Sequence, residues 1–197
     1  MSLFGTVRAF AALNVEVLAV RRVLEAVERL RAHPLAPPAR WVTPTRMHVT
    51  LKFFGDTDAG LVPALRDALS ALARDQPAPR LGFGSLGAFP SVEHARVLFA
   101  VVDDMGGDTA RMAQAVEDGA AALGVVREAR PFVPHMTIAR TASPADVRSW
   151  IGSVAMEKVV GLAPELVLYR SDISRPGAEY EALARLALGP RRSVKTH

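Results

Sequence analysis

Two short strings constrain this chain more than anything else in it. Arg46-Met47-His48-Val49-Thr50-Leu51 and Val133-Pro134-His135-Met136-Thr137-Ile138 each run histidine, any residue, threonine, aliphatic residue, 87 residues apart. With five histidines and nine threonines in 197 residues, chance does not supply two such coincidences. Both strings read as strands, in which side chains two apart share a face. Each therefore sets an imidazole beside a hydroxyl, while Val49 and Leu51, or Met136 and Ile138, serve a core. One His-x-Thr on a strand is an ordinary polar face. A repeated one predicts two similar lobes whose repeated strands line one cleft.

The rest of the pattern fits that plan. Strands are predicted over 7–13, 40–43, 47–53, 81–89, 95–102, 135–139, 166–171 and 179–188, the last two flanking a turn at 175–177. Helices are predicted over 15–31, 59–73 and 109–123, where apolar residues recur at helical spacing. A fourth is expected from Ser143 as N-cap, with Pro144 in the first helical position. No Ser- or Gly-rich linker divides the chain. The expected architecture is α+β: a single bilobal domain over 1–190, pseudo-symmetric, its antiparallel sheets facing a central cleft with helices outside. Residues 191–197 read as a basic, flexible tail.

Composition excludes several classes. Half the residues are hydrophobic, enough to bury a core, and no apolar run reaches membrane-spanning length. Arg8, Asn14, Glu16, Arg21 and Arg22 interrupt the apolar N-terminus, which argues against a signal peptide. There is no cysteine, hence no disulfide, thiolate metal site or cysteine nucleophile. A soluble, cytoplasmic protein, monomeric and away from membranes, is expected. The pI near 10.1 suggests nucleic acid, yet only three of 24 basic residues are lysine. Arginine stays charged above pH 12 and lifts the pI even at a net charge of +4.

Two imidazoles across a cleft suit general acid–base chemistry, since one can be neutral while the other is protonated near neutral pH. The threonine hydroxyls can donate to a phosphoryl oxygen. Which histidine is the acid does not follow from spacing. A catalytic zinc takes three protein ligands, and neither motif has a carboxylate or third histidine nearby, so no metal and no cofactor is expected. Arg130, five residues before His135 in a loop, is the preferred phosphate contact; Phe132 is a candidate base-stacking residue. Arg140 is a further candidate substrate contact, but it stands at odd offset from His135, and an undistorted strand would turn it away from the cleft to pair with an acid behind the sheet. Lys52 has the parity of His48 and Thr50 and is placed at the cleft edge or at a solvated strand end. Trp41, Phe54 and Tyr180 read as core.

In these strings the chain resembles the 2H phosphoesterases, and most of all their RNA 2′,3′-cyclic phosphodiesterase branch, also called 2′-5′ RNA ligase-like. The likeness extends from Arg8-Ala9-Phe10-Ala11-Ala12-Leu13 through Lys52-Phe53-Phe54-Gly55-Asp56, Arg96-Val97-Leu98-Phe99 and Arg130-Pro131-Phe132 to Tyr169-Arg170-Ser171 and Gly177-Ala178-Glu179-Tyr180-Glu181. The resemblance implies metal-independent hydrolysis of a terminal 2′,3′-cyclic phosphate on RNA 3′ ends or small nucleotides, leaving a 2′-phosphomonoester. It implies His48 as general acid, His135 as general base, and Thr50 and Thr137 as donors to the non-bridging oxygens. Alternatives are 2′-5′ ligation with a 5′-hydroxyl nucleophile, another small cyclic-phosphate nucleotide as substrate, and a non-catalytic module that binds RNA ends.

Overall fold

The computed structural model describes residues 5–172 and 179–190. Among these residues the strands are β1 (Thr6–Asn14), β2 (Ala39–Trp41), β3 (His48–Asp58), β4 (Arg80–Phe89), β5 (Ala95–Asp104), β6 (His135–Ala145), β7 (Val159–Leu162), β8 (Glu165–Asp172) and β9 (Glu179–Ala187). The helices are α1 (Val17–Ala32), α2 (Val62–Asp75), α3 (Asp108–Ala122) and the short α4 (Arg148–Gly152). The strands form one nine-stranded sheet in the order β7-β4-β5-β6-β3-β1-β8-β9, with β2 also on β6. All registered strand pairs are antiparallel.

That order has a hidden symmetry. The motif strands β3 and β6 lie innermost; next out come β1 and β5, each preceding its motif strand across a helix; β8 and β4 follow, then β9 and β7. The expected lobes are therefore the two halves of one sheet, meeting at the register pair Val49 and Met136. The halves are fused rather than separate because the chain from β2 to β3 runs along β6. It keeps pairing through Trp41–Ala139 and Val42 N–H to the Ile138 carbonyl before the 3₁₀ turn Pro44–Arg46.

Burial explains the two faces. On one, α1 buries Ala19, Val23, Ala26, Val27 and Leu30, α2 buries Leu65 and Leu69, and α3 buries Met112 and Val116. These pack on Leu13, Val49, Leu98, Met136, Ile138 and Leu166 of the sheet. Each buried Val, Leu, Ile or Met among them contributes about 1.5–3 kcal/mol. Among the described residues the other face carries a small cluster of Phe10, Ala12, Val167 and Tyr169, with Phe99 buried beside His135. Strand β1 is covered on both faces from Ala9 to Leu13, which accounts for its weak alternation in sequence.

Three local expectations change. No helix starts at Ser143: β6 continues through Ser143 and Pro144, and α4 begins at Arg148 after Val147. Pairing with β2 and β5, including the Thr141 hydroxyl bonded to the Ala95 carbonyl at 2.8 Å, outweighs the local cap signal. Proline, which lacks an N–H, is tolerated there close to the strand end. The predicted strand 40–43 shortens to β2 because Pro44 opens a 3₁₀ turn. Four-residue β7 has no counterpart among the predicted strands; its short sequence has no pattern of its own, and β4 defines it by pairing. The turn at 175–177 and the tail at 191–197 lie outside the described residues. Among the described residues no helix is long and apolar enough to cross a membrane.

Candidate active site

The seam between the halves builds the site. Val49 and Met136 are fully buried under the helices. Alternation therefore turns their neighbours His48, Thr50, His135 and Thr137 to the opposite face, where all four are half-buried. In an antiparallel pair this register sets His48 across from Thr137 and Thr50 across from His135.

Both motif strands then break step at the same point. Ala12 faces Thr50 but Ala11 faces Lys52, leaving Leu51 as an extra residue. Phe99 faces Thr137 but Leu98 faces Ala139, leaving Ile138 extra. A β-bulge of this kind reverses side-chain parity beyond it. Lys52 is accordingly not at the cleft edge: it is 4% exposed, turned into the helix layer. Its Nζ donates to both carboxylate oxygens of Glu117 at 2.8 Å and to the Val126 carbonyl at 3.1 Å. Arg140 is carried the other way, onto the site face, where its charge acts on both histidines. The exposed Phe53, five residues after His48 as Arg140 is after His135, shares that face and rests on the Phe10 ring with centroids 5.3 Å apart.

Arg40 on β2 is the register partner of Arg140, so two arginines start from the same face of the sheet. Like charges in direct opposition repel, and neither is paired with a carboxylate among the described residues. This doublet is suited to an anion.

Each imidazole is held from behind by the carbonyl two residues earlier. Nδ1 of His135 lies 2.7 Å from the Val133 carbonyl, which can only accept. The proton is therefore on Nδ1, and Nε2 keeps its lone pair for the site. A ring N–H of His48 donates likewise to the Arg46 carbonyl. His48 lies in an aromatic nest, stacked on Phe10 at 5.1 Å with the Tyr180 edge at 5.5 Å. Burial there pushes its pKa down to about 4; the Arg46 bond opposes the fall, while His135 and Arg140 reinforce it. Burial among Phe89 and Phe99 also lowers His135, the Val133 bond opposing and Arg140 adding to the effect. Both rings are thus neutral near pH 7 when no anion is bound. A cavity of about 300 Å³ opens beside His48, walled in part by Arg46, Tyr169, Tyr180 and Arg185.

The structure gathers His48, Thr50, His135, Thr137 and Arg140 on one face. Arg130 remains in the exposed loop before β6, its Nε 3.3 Å from Glu128. Phe132 is partly buried against the helix-side core. Trp41 and Phe54 pack with the main core; Tyr180 flanks the small cluster and reaches His48. Sequence reasoning misses Phe53 and Tyr169 as neighbours of the histidine face: strand pairing and a bulge place them there, and neither is written in local sequence. Among the described residues no group of three His, Asp or Glu is placed to hold a metal ion.

Known proteins share this fold. The family model of the 2′-5′ RNA ligase superfamily matches residues 19–172. An RNA 2′,3′-cyclic phosphodiesterase of Aquifex aeolicus is 31% identical over 140 residues, covering 70% of this chain and 72% of that protein. One of Geobacillus stearothermophilus is 29% identical over 155 residues; the match takes in 77% of this chain but 48% of that protein, about half its length. The crystal structure of the Thermus thermophilus protein TT0787 superposes with a TM-score of 0.74 at 25% identity, covering 92% of this chain and 97% of that one. Escherichia coli LigT in its apo form gives 0.68 at 26% identity over 93% and 98%. With its two His-x-Thr strands at the centre of the matched fold, this chain belongs to the 2′-5′ RNA ligase superfamily, the 2H phosphoesterases.

Proposed function

We propose that this protein hydrolyses the terminal 2′,3′-cyclic phosphate of RNA 3′ ends to a 2′-phosphomonoester, without a metal. The observation that carries the reading is the pair of imidazoles on one face of the β3–β6 seam, each fixed by a carbonyl two residues back, with the Arg140 charge acting on both. The names of the relatives support the substrate class.

In the scheme, Nε2 of His135 takes a proton from water as the water oxygen attacks phosphorus. The bond from phosphorus to O3′ breaks, and His48 delivers a proton to the departing oxygen. One ring N–H of His48 is committed to the Arg46 carbonyl. Its other nitrogen can donate only in the imidazolium form. The bound phosphate anion supplies the opposite charge that raises its pKa for this step. Thr50 and Thr137 donate hydroxyl protons to the non-bridging oxygens, and the Arg140 guanidinium balances the charge they gain. Arg130 and Phe132, in the loop before β6, are left for contacts with RNA further from its reacting end.

The test is product analysis on an oligoribonucleotide with a 2′,3′-cyclic end, in EDTA. A 2′-phosphate product with undiminished rate is expected. A 3′-phosphate, or activity that needs added metal, would overturn the scheme.

A further inference from the structure

We propose that Lys52 and Glu117 are a positioning pair for His135: they hold the loop 126–134 from the first motif strand, so that the Val133 carbonyl keeps the His135 proton on Nδ1 and leaves Nε2 free. The inference rests on the reading of His135 as general base. The pair lies on the helix side of the sheet, across from both imidazoles. The Lys52 ammonium has three N–H groups, and each meets an acceptor: the two Glu117 carboxylate oxygens at 2.8 Å and the Val126 carbonyl at 3.1 Å. Oε1 of Glu117 also accepts the Glu128 backbone N–H at 3.2 Å. The Glu128 carboxylate in turn accepts the Arg130 backbone N–H at 3.4 Å. Val126, Glu128 and Arg130 are therefore tied, one after another, to a single ammonium buried under β3.

The segment that follows Arg130 is stiff. Pro131 and Pro134 fix two φ angles, and each restricts the residue before it, Arg130 and Val133, to extended backbone. Its far end is fixed on β5, where the Val102 N–H reaches the Pro134 carbonyl at 3.4 Å. Its near end is fixed by Glu117 and Lys52 through Glu128. Val133 between them is exposed, so packing of its own side chain does not aim its carbonyl; the direction in which the chain arrives from Arg130 does. That carbonyl lies 2.7 Å from His135 Nδ1. An apolar pair could fill the space under β3 without loss of stability, because a buried ion pair does little more than offset its own desolvation. It could not hold a carbonyl and an N–H of the loop at once. What the two ions add is a pair of oriented bonds to the chain that aims the base.

The experiment uses Lys52→Met/Glu117→Leu, which removes both charges together, and Pro131→Gly, an exposed change that leaves the pair intact and loosens the segment after it. Turnover of adenosine 2′,3′-cyclic phosphate is measured beside the long-range proton–nitrogen NMR spectrum of the histidine rings at about pH 8, where both rings are neutral. In the wild type, His135 should show a protonated Nδ1 and a bare Nε2. In either variant it should become a mixture of tautomers, while His48, fixed by the Arg46 carbonyl, keeps its own. In the double variant kcat should fall roughly tenfold or more with KM nearly unchanged, since a misplaced group acts on the chemical step. In Pro131→Gly it should fall several-fold. Wild-type kcat in the folded double variant, a loss of kcat with the His135 tautomer intact, or an equal change in both rings overturns the positioning role and leaves the hydrolase reading standing. If the double variant does not fold, Pro131→Gly decides by the same signs. If the wild type turns over no cyclic phosphate, the hydrolase reading fails and the spectra alone decide: the variants must still mix the His135 tautomers, and an unchanged ring overturns the pair's role.

Discussion

Two imidazoles with lowered pKa values make the protonation of the pair the controlling variable. The reactive free enzyme carries one proton on the pair, so the kcat/KM profile should be a bell whose maximum lies below pH 6.5, because both histidines titrate below that value. Bound anion raises both, so kcat should peak at higher pH than kcat/KM; a kcat/KM maximum above pH 8 would contradict the assignment. Arg140 depresses both histidines. Arg140→Gln should therefore shift the bell toward higher pH as it removes about 10²–10³ in kcat. The same shift has a stability consequence. A histidine lowered by folding contributes its full stability above its unfolded value near 6.5 and loses it as pH falls toward 4. For His48 the loss is on the order of 3 kcal/mol, and melting temperatures measured from pH 7 to 4 should fall less steeply in His48→Gln.

At the scale of elements, the paired bulges decide which side chains share the face of the two histidines. The bulge in β3 sends Lys52 to Glu117 of α3, and Glu117 also accepts the Glu128 backbone N–H at 3.2 Å. The ion pair thus ties the first motif strand to the loop that leads into the second. Lys52→Met leaves the largely buried Glu117 carboxylate without its cation and should cost about 3–5 kcal/mol, measured by denaturant unfolding. On the other half, β4 supports His135 through a missing side chain. A Cβ on Gly87 would stand 2.6 Å from Cε2 of Phe99, whose ring lies 5.2 Å from that of His135. Gly87→Ala must displace the Phe99 ring that packs on His135. It should lower kcat about tenfold or more with little change in KM, since misplacement of a positioned group acts on the chemical step.

For the whole molecule, the symmetry predicts coupling. His48→Ala and His135→Ala should each lose roughly 10²–10⁴ in rate, and the double variant far less than their product, because one seam holds both. Charge makes a second whole-molecule prediction. Arg191, Arg192 and Lys195 carry three of the net four positive charges, so residues 1–190 are nearly neutral. Affinity for RNA ends should show a shallow salt dependence, a log–log slope of roughly −1 to −3 for a few phosphates on a single strand. A slope near −6 would mean a broad basic footprint instead.

Much of this was legible without coordinates. The repeated His-x-Thr strings put His48, Thr50, His135 and Thr137 on two strands, each histidine on the same face as its threonine, because strand parity and hydrophobic alternation are local properties of a sequence. Arg140 and Lys52 exchanged faces for the opposite reason: a bulge is created by register against a neighbouring strand, and nothing in residues 46–53 or 133–140 records it. Arg40 came to share the face of Arg140 by pairing with a strand a hundred residues later. The sequence by itself determined which chemistry-bearing groups the protein owns and which face of a strand they begin on. Only the tertiary structure decided which arginine faces the histidines and which aromatic rings bury them, since those are set by contacts between segments far apart in the chain.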